Sequence, residues 1–479
     1  MSDQEKTRSK VVKAGLGYTV GNYLIKGLSF LTIPLFARLL DTSDYGKYNS
    51  YMAFEAIVYI FVGLALHTSF KKAKYRFEKD FNEYVSSCTL LSILSFGFFI
   101  TLSIITYPFL KGMWGIGNTL VILLFVHSFG SALIQFYNSY AALYYDYKKF
   151  LKLSIFNAVL NVFLSVILIL VFREENKYVG RILGTAIPVI IIGIYIITFF
   201  FGKAKPRVDK NYWKYGMGYS LPIIPHGLSQ IILSQFDRIM INNMIGDSEA
   251  GIYSFGYNVY TIIQVTSNSL SNVWEPWFFE KIAKGDVESI RKKGQSFAIC
   301  MLGVSTILVF LAPELIMILG TEEYADAVYC VPPIVVGGFF SFLYVLPCEV
   351  EYYYEKTKNI GIATCVAAGL NFILNYVCIR RFGYVAAAYT TLATYFLYFL
   401  FHYLMARKIQ GFYLYDNKVI FIITFLALIV CTIGVLLIKQ LVLRVIIVIG
   451  TAVALYMYAK KTMDISNFIK NKMRRMINR

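Results

Sequence analysis

Residues 182–202 read ILGTAIPVIIIGIYIITFFFG, twenty-one positions without a charge. Wound as a helix, a run of this length crosses about 30 Å, the hydrocarbon thickness of a bilayer. Lipid offers no partner to an unpaired backbone amide, so a transmembrane helix is expected here. Outward from this stretch the same pattern recurs along the whole chain. Fourteen candidate spans can be marked, at 14–37, 48–70, 84–108, 119–143, 151–172, 182–202, 216–246, 250–277, 295–319, 326–352, 359–379, 384–406, 419–438 and 441–459. The seventh, eighth and tenth carry the most polar residues. A transmembrane barrel would show short alternating segments instead. Of the 479 residues 57% are hydrophobic and 15% charged, where a soluble protein carries about 25% charged residues. A soluble enzyme, a disordered chain and a secreted disulfide scaffold are thereby excluded, and the expected fold is an all-α integral membrane protein.

The net charge is +18. It sits in short clusters between apolar runs, which reads as membrane topology and not as a nucleic-acid surface. With the N-terminus placed in the cytoplasm, the inner segments hold 34 Lys and Arg and the outer segments 10. That asymmetry predicts an even number of spans with both termini cytoplasmic, in a multi-pass protein of the inner, cytoplasmic membrane. The terminal Lys470, Lys472, Arg474, Arg475 and Arg479 extend it as a basic tail that attracts anionic lipid, at about 1 kcal/mol per charge. All connecting segments are short, so there is no room for a soluble domain. No Walker A pattern is present, and Gly15 and Gly17 follow no strand. The seven cysteines lie in or beside apolar blocks without a Cys-x-x-Cys, and no His, Cys and carboxylate spacing suggests zinc. Neither an enzyme, a cofactor nor a metal is expected.

Two stretches repeat. Leu39-Leu40-Asp41-Thr42-Ser43-Asp44-Tyr45-Gly46-Lys47-Tyr48 ends the first span, and Met244-Ile245-Gly246-Asp247-Ser248-Glu249-Ala250-Gly251-Ile252-Tyr253 ends the seventh. Shifted by 205 positions they match as Ser-acid-x-Gly-x-Tyr. The repeat predicts two six-helix bundles, 14–202 and 216–406, with the two helices of 419–459 outside it. Six is even, so both halves enter the membrane in the same direction, as parallel repeats about an axis along the membrane normal do. A substrate pathway is then expected between the halves.

The run Gly27-Leu28-Ser29-Phe30-Leu31-Thr32-Ile33-Pro34-Leu35-Phe36-Ala37-Arg38-Leu39-Leu40, with Ser43-Asp44-Tyr45-Gly46, resembles the first-helix signature of polysaccharide-export flippases. Asp237-Arg238-Ile239-Met240-Ile241 followed by Gly251-Ile252-Tyr253-Ser254 resembles its counterpart in the second half. This is the O-antigen and lipid-linked oligosaccharide flippase family of the MOP superfamily, which also holds MATE-type exporters and peptidoglycan-precursor flippases. The resemblance implies a flippase that moves a polyprenyl-diphosphate-linked oligosaccharide from the cytoplasmic to the outer leaflet, by alternating access, for cell-surface polysaccharide synthesis. Its partners would be that substrate, membrane lipid and a coupling cation. Two other readings stay open: a MATE-like cation-coupled multidrug exporter, which would favour twelve spans and an acidic cavity, and a non-transporting scaffold of a polysaccharide assembly complex.

Ionisable groups inside a membrane are costly and usually face a cavity or one another. Lys26 and Arg238 are the only Lys or Arg well inside the spans, each in the first helix of its half, and are the expected substrate-binding cations. His226 follows Leu221-Pro222-Ile223-Ile224-Pro225, where two prolines bend a helix, and joins them as a titratable ring at a moving gate. Glu55, Asp237 and Glu275 are the expected charge partners or ion-coupling groups.

Overall fold

The computed structural model describes Gly17, Val20, Gly21 and residues 23–462. The start of the first span and the basic tail from Lys470 to Arg479 lie outside the described residues. Helices carry the chain, and no strand occurs among the described residues. Ten helices are long and apolar enough to cross a membrane, and an eleventh span follows if Thr42–Gly63 and Leu66–Arg76, bent by 57° at their break, are taken together. These eleven coincide with expected spans two to six and nine to fourteen.

The remaining three are the first, seventh and eighth. The first begins outside the described residues. The seventh is interrupted where Lys210–Ser220 gives way to a 3-10 turn, Leu221–Ile223, before Ile224–Met244 resumes. Pro222 and Pro225 lack the amide donor that a continuous helix needs at those positions. The eighth is split into Asp247–Tyr257 and Tyr260–Ala283. Both Ile224–Met244 and Tyr260–Ala283 are long enough to span, yet neither is among the helices apolar enough to cross a membrane by composition. The second carries Gln264, Asn268, Asn272 and Glu275 along its length.

By packing, the chain divides into two compact units, Met1–Ser254 with Asn375–Tyr384, and Phe255–Leu374 with Val385–Arg479. That division follows contacts. The 14–202 and 216–406 bundles follow sequence repetition, with the helix pair 419–459 outside it, and this division remains a proposal.

In the first unit Thr42–Gly63 is the central helix. It packs on Phe81–Trp114, Asn118–Leu143, Lys177–Lys203 and Ile224–Met244. Asp41 caps it, its carboxylate accepting from the backbone amide of Asp44 at 2.7 Å, which satisfies a donor that the first turn leaves open. Leu64 and Ala65 end it in the left-handed region, at φ 48° and 47°. Side chains rarely occupy that region, so buried packing of Ala65 and Leu66 must hold it. Aromatic side chains fill the core, with Tyr51, Phe70, Phe81, Tyr84, Phe136 and Phe200 all buried. The outward face of Phe81–Trp114 presents Phe98, Ile105 and Phe109, exposed as a lipid-facing surface requires.

In the second unit the innermost helix is Val331–Leu343, nearly every residue of which is buried. It packs on Val385–Gln410, Val287–Phe310, Asn417–Leu436 and Tyr260–Ala283. Side chains on Gly337 and Gly338 would meet Leu392 and Tyr260 at 3.3 and 2.7 Å, so the approach depends on small residues. The last two helices, Asn417–Leu436 and Leu441–Thr462, lie against Val287–Phe310. Arg444 fastens them, donating to Glu314 at 2.5 Å and to the Phe310 carbonyl at 2.9 Å.

Candidate functional site

In the first unit the two copies of the repeated motif meet. Thr42 and Ser248 share a hydrogen bond of 2.6 Å between their hydroxyls, and Lys47 lies 3.7 Å from Asp247. A Cβ on Gly46 would strike the backbone of Asp247 and Gly251, and one on Gly251 would strike the backbone of Thr42 and Gly46. The contact is reciprocal under the 205-residue shift, and only glycine permits it at either position.

Below this junction Thr42–Gly63 and Ile224–Met244 run together. The Ser50 hydroxyl donates to the carbonyl of Arg238 at 3.4 Å. Asp237 is buried, and its carboxylate accepts from the Tyr253 hydroxyl at 2.6 Å and from the Asn375 amide at 2.7 Å. Tyr253 is the last residue of the repeated motif, so the motif reaches one of the expected charge partners directly. Arg238, the next residue, is half-buried on another face of the same helix. Glu55 is buried one helix away. Ser131 lies beside its carboxylate, the Ser128 hydroxyl reaches its backbone carbonyl at 3.5 Å, and its Oε1 has no hydrogen-bond partner among the described residues. Lys26 is half-buried in the helix that precedes the motif. His226 sits half-buried at the restart of the seventh span, its Nδ1 without a hydrogen-bond partner among the described residues. Thus the fold joins Asp237 to the motif, while Glu55 stands on its own hydroxyl contacts.

Sequence reasoning missed Arg181, which it counted as an outer-loop charge. Arg181 belongs to the first turns of Lys177–Lys203, between Gly180 and Gly184. A Cβ on Gly180 would meet the carbonyl of Leu168 at 2.7 Å, and one on Gly184 would strike the backbone of Ser165. These glycines let Lys177–Lys203 close on Tyr147–Val171, as small residues four apart do in membranes. The approach brings Asn161, Ser165 and Thr185 onto one guanidinium nitrogen, at 2.8, 2.6 and 3.1 Å. Phe36 covers the guanidinium at 3.7 Å and Tyr48 at 4.5 Å. A Gly-Arg-x-x-Gly pattern at the mouth of an apolar run was the available signal. On the opposite end of the same helices a cavity of about 340 Å³ is lined by Tyr137, Tyr140, Tyr144, Phe199, Lys149 and Lys203, and none of the expected site residues lines it.

In the second unit Glu275 is exposed on Tyr260–Ala283, and Glu349 lies near it, buried, with Oε2 unpartnered among the described residues. Two residues on, Glu351 Oε1 contacts His402 Nδ1, both side chains fully buried. Cys348 completes a trio of possible metal-ligating atoms within 4.8 Å of one another. Such a donor set suits zinc in principle, but the carboxylate and the ring already spend an atom each on one another. The arrangement reads as a buried hydrogen-bonded pair, drawn together from residues 51 apart in sequence.

Comparison with known proteins adds three findings. Residues 11–282 match the family described as polysaccharide biosynthesis protein, and residues 222–377 match the family described as MatE. A protein of the Lsg locus of Haemophilus influenzae is 23% identical over 364 residues, covering 74% of this chain and 87% of that protein. The membrane protein MJ1068 of Methanocaldococcus jannaschii is 21% identical over 452 residues, covering 87% and 88%. Among solved structures, the lipid II flippase MurJ in an inward closed conformation superposes with a TM-score of 0.70 at 14% identity, over 93% of this chain and 99% of that one. An inward-facing multidrug resistance MATE transporter of the MOP superfamily gives 0.60 at 13% identity, over 81% and 95%. At these identities the solved structures establish a shared fold.

Proposed function

The chain belongs to the polysaccharide biosynthesis protein family, and from that premise we propose that it is a flippase for a polyprenyl-diphosphate-linked oligosaccharide, loading at the cytoplasmic leaflet and releasing at the outer one. The physical task is to carry a sugar headgroup and a diphosphate across about 30 Å of hydrocarbon. One observation carries the reading. Ile224–Met244 and Tyr260–Ala283, long enough to span but not among the helices apolar enough to cross a membrane by composition, are the ones that hold His226, Asp237, Arg238 and Glu275. A span of that polarity must face protein or a water-filled path. Lys26 and Arg238 offset the diphosphate in this scheme, and His226 lies at the break where the helix can flex. Glu55, Asp237 and Glu275 serve as charge partners or couple a cation to transport. The lipid tail stays in the bilayer, with the helices of 419–459 bordering it, and the protein sits in the inner membrane with both termini cytoplasmic. Alternating access comes from one six-helix bundle rocking against the other.

Proteoliposomes holding a fluorescent lipid-linked oligosaccharide test this reading, with a membrane-impermeant quencher reporting the leaflet. Lys26→Ala and Arg238→Ala should each slow flipping about tenfold or more, the loss expected for a charge-assisted hydrogen bond to substrate, while inserting normally. Lys26→Arg should retain more activity than Lys26→Gln. Efflux of a cationic dye without flipping would instead favour the MATE-like exporter, and neither activity would leave the scaffold. Well-inserted double alanine variants that flip normally would reject both cations as substrate groups.

A further inference from the structure

Arg181 carries a charge that its surroundings do not balance. The helices Ile33–Leu39, Tyr147–Val171 and Lys177–Lys203, which meet around it, contain no acidic residue. Thr42–Gly63, the fourth, has Asp44 and Glu55. Asp44 lies beside the backbone of Tyr178 and near Lys47 and Lys177, and Glu55 lies beside Ser131. Neither forms an ion pair with Arg181. Three neutral oxygens converge instead on a single nitrogen, Nη1. Nε and Nη2, the other edge of the fork, make no hydrogen bond among the described residues. The plane of that fork is fixed from one side by Phe36 and steadied by Tyr48.

This is a costly way to pack an arginine. A partly buried cation without a counter-charge is destabilising unless an anion completes it. A planar guanidinium with one edge anchored and the other edge open is preorganised for two parallel hydrogen bonds to one anionic group. Its place in the first turns of a 27-residue helix adds the positive end of the helix dipole.

We propose that Arg181 is an anion-binding site, taking a phosphate group of a lipid through its free Nε and Nη2 edge. Asn161, Ser165 and Thr185 are its positioning residues, and Phe36 keeps water off one face. Two lipids carry this chemistry, the diphosphate-linked substrate and an anionic phospholipid of the bilayer. The first source rests on the flippase reading; the second does not.

The full-length protein in phosphatidylcholine nanodiscs decides the matter, with geranyl diphosphate and phosphatidylglycerol as separate probes and binding read without transport. The wild type should bind at least one of them. Arg181→Gln should weaken that binding about tenfold, and Arg181→Lys should restore only part of it, because an ammonium cannot present the fork. An effect on geranyl diphosphate supports the site with the substrate as its source, and an effect on phosphatidylglycerol alone supports it with a bilayer lipid. Should Arg181→Gln fail to fold, phenylglyoxal modification of the wild type, read peptide by peptide, replaces it: a probe that binds should shield Arg181. Binding unchanged by the substitution, no protection, or a wild type that takes neither probe would overturn the site. Absence of flipping in the assay above would remove the flippase reading and leave these outcomes as they stand.

Discussion

At Asp237 one carboxylate oxygen accepts from the Tyr253 hydroxyl and the other from the Asn375 amide. Inside a membrane protein, loss of one such bond typically costs about 0.6–2 kcal/mol. Tyr253→Phe is expected to destabilise the protein by about that much. Asp237→Asn should cost more, because an amide turns one acceptor into a donor that faces another donor. Thermal unfolding in detergent, followed by tryptophan fluorescence, checks both, and a Tyr253→Phe protein as stable as the wild type would show the bond to be idle. Much of this was legible. The rarity of charge inside apolar runs picks out Asp237, Arg238, Glu55 and Lys26. Their partners were not legible, since Asn375 is uncharged and lies 138 positions away, and nothing local marks it. Arg181 escaped for the opposite reason: a charge bordering a loop looks solvated until two glycines draw a second helix over it.

Helix packing here depends on where side chains are missing. Gly184 abuts the backbone of Ser165, whereas Gly202, on the same helix, has nothing within 4 Å of a Cβ. Gly184→Leu should force Tyr147–Val171 and Lys177–Lys203 apart and cost about 1–3 kcal/mol, the usual range for overpacking. Gly202→Ala should be neutral or mildly stabilising, since alanine favours a helix over glycine. Melting temperatures of the two purified variants, compared by fluorescence-detected size exclusion after heating, test the contrast; equal behaviour would mean that the glycine contact is not what holds these helices. Spans were readable from hydropathy because lipid demands apolar side chains over a fixed length. Breaks were readable only where proline announces them, as at Pro222 and Pro225. The bend after Gly63 rests on Leu64 and Ala65 in a left-handed conformation, for which no residue type in the sequence gives warning.

Across the whole chain the expected orientation rests on the distribution of Lys and Arg, which the fourteen-span reading of the sequence divides 34 to 10. Reporter tags fused to each end should therefore both read cytoplasmic, and tags on opposite sides would overturn the even count of spans. Another consequence concerns the junction of Gly46 with Gly251. The backbone contact leaves neither copy of the motif room for a side chain at this position, since each glycine makes room for the other copy. Around the glycines the copies differ, with Lys47 matched by Ile252 and Asp44 by Glu249. The equivalent tyrosines have taken opposite electrical duties. Tyr48 lays its ring against the cation of Arg181, and Tyr253 offers its hydroxyl to the anion of Asp237. A junction that is symmetric in backbone thus carries unlike side-chain duties, a ring set against a cation in one copy of the motif and a hydroxyl given to an anion in the other.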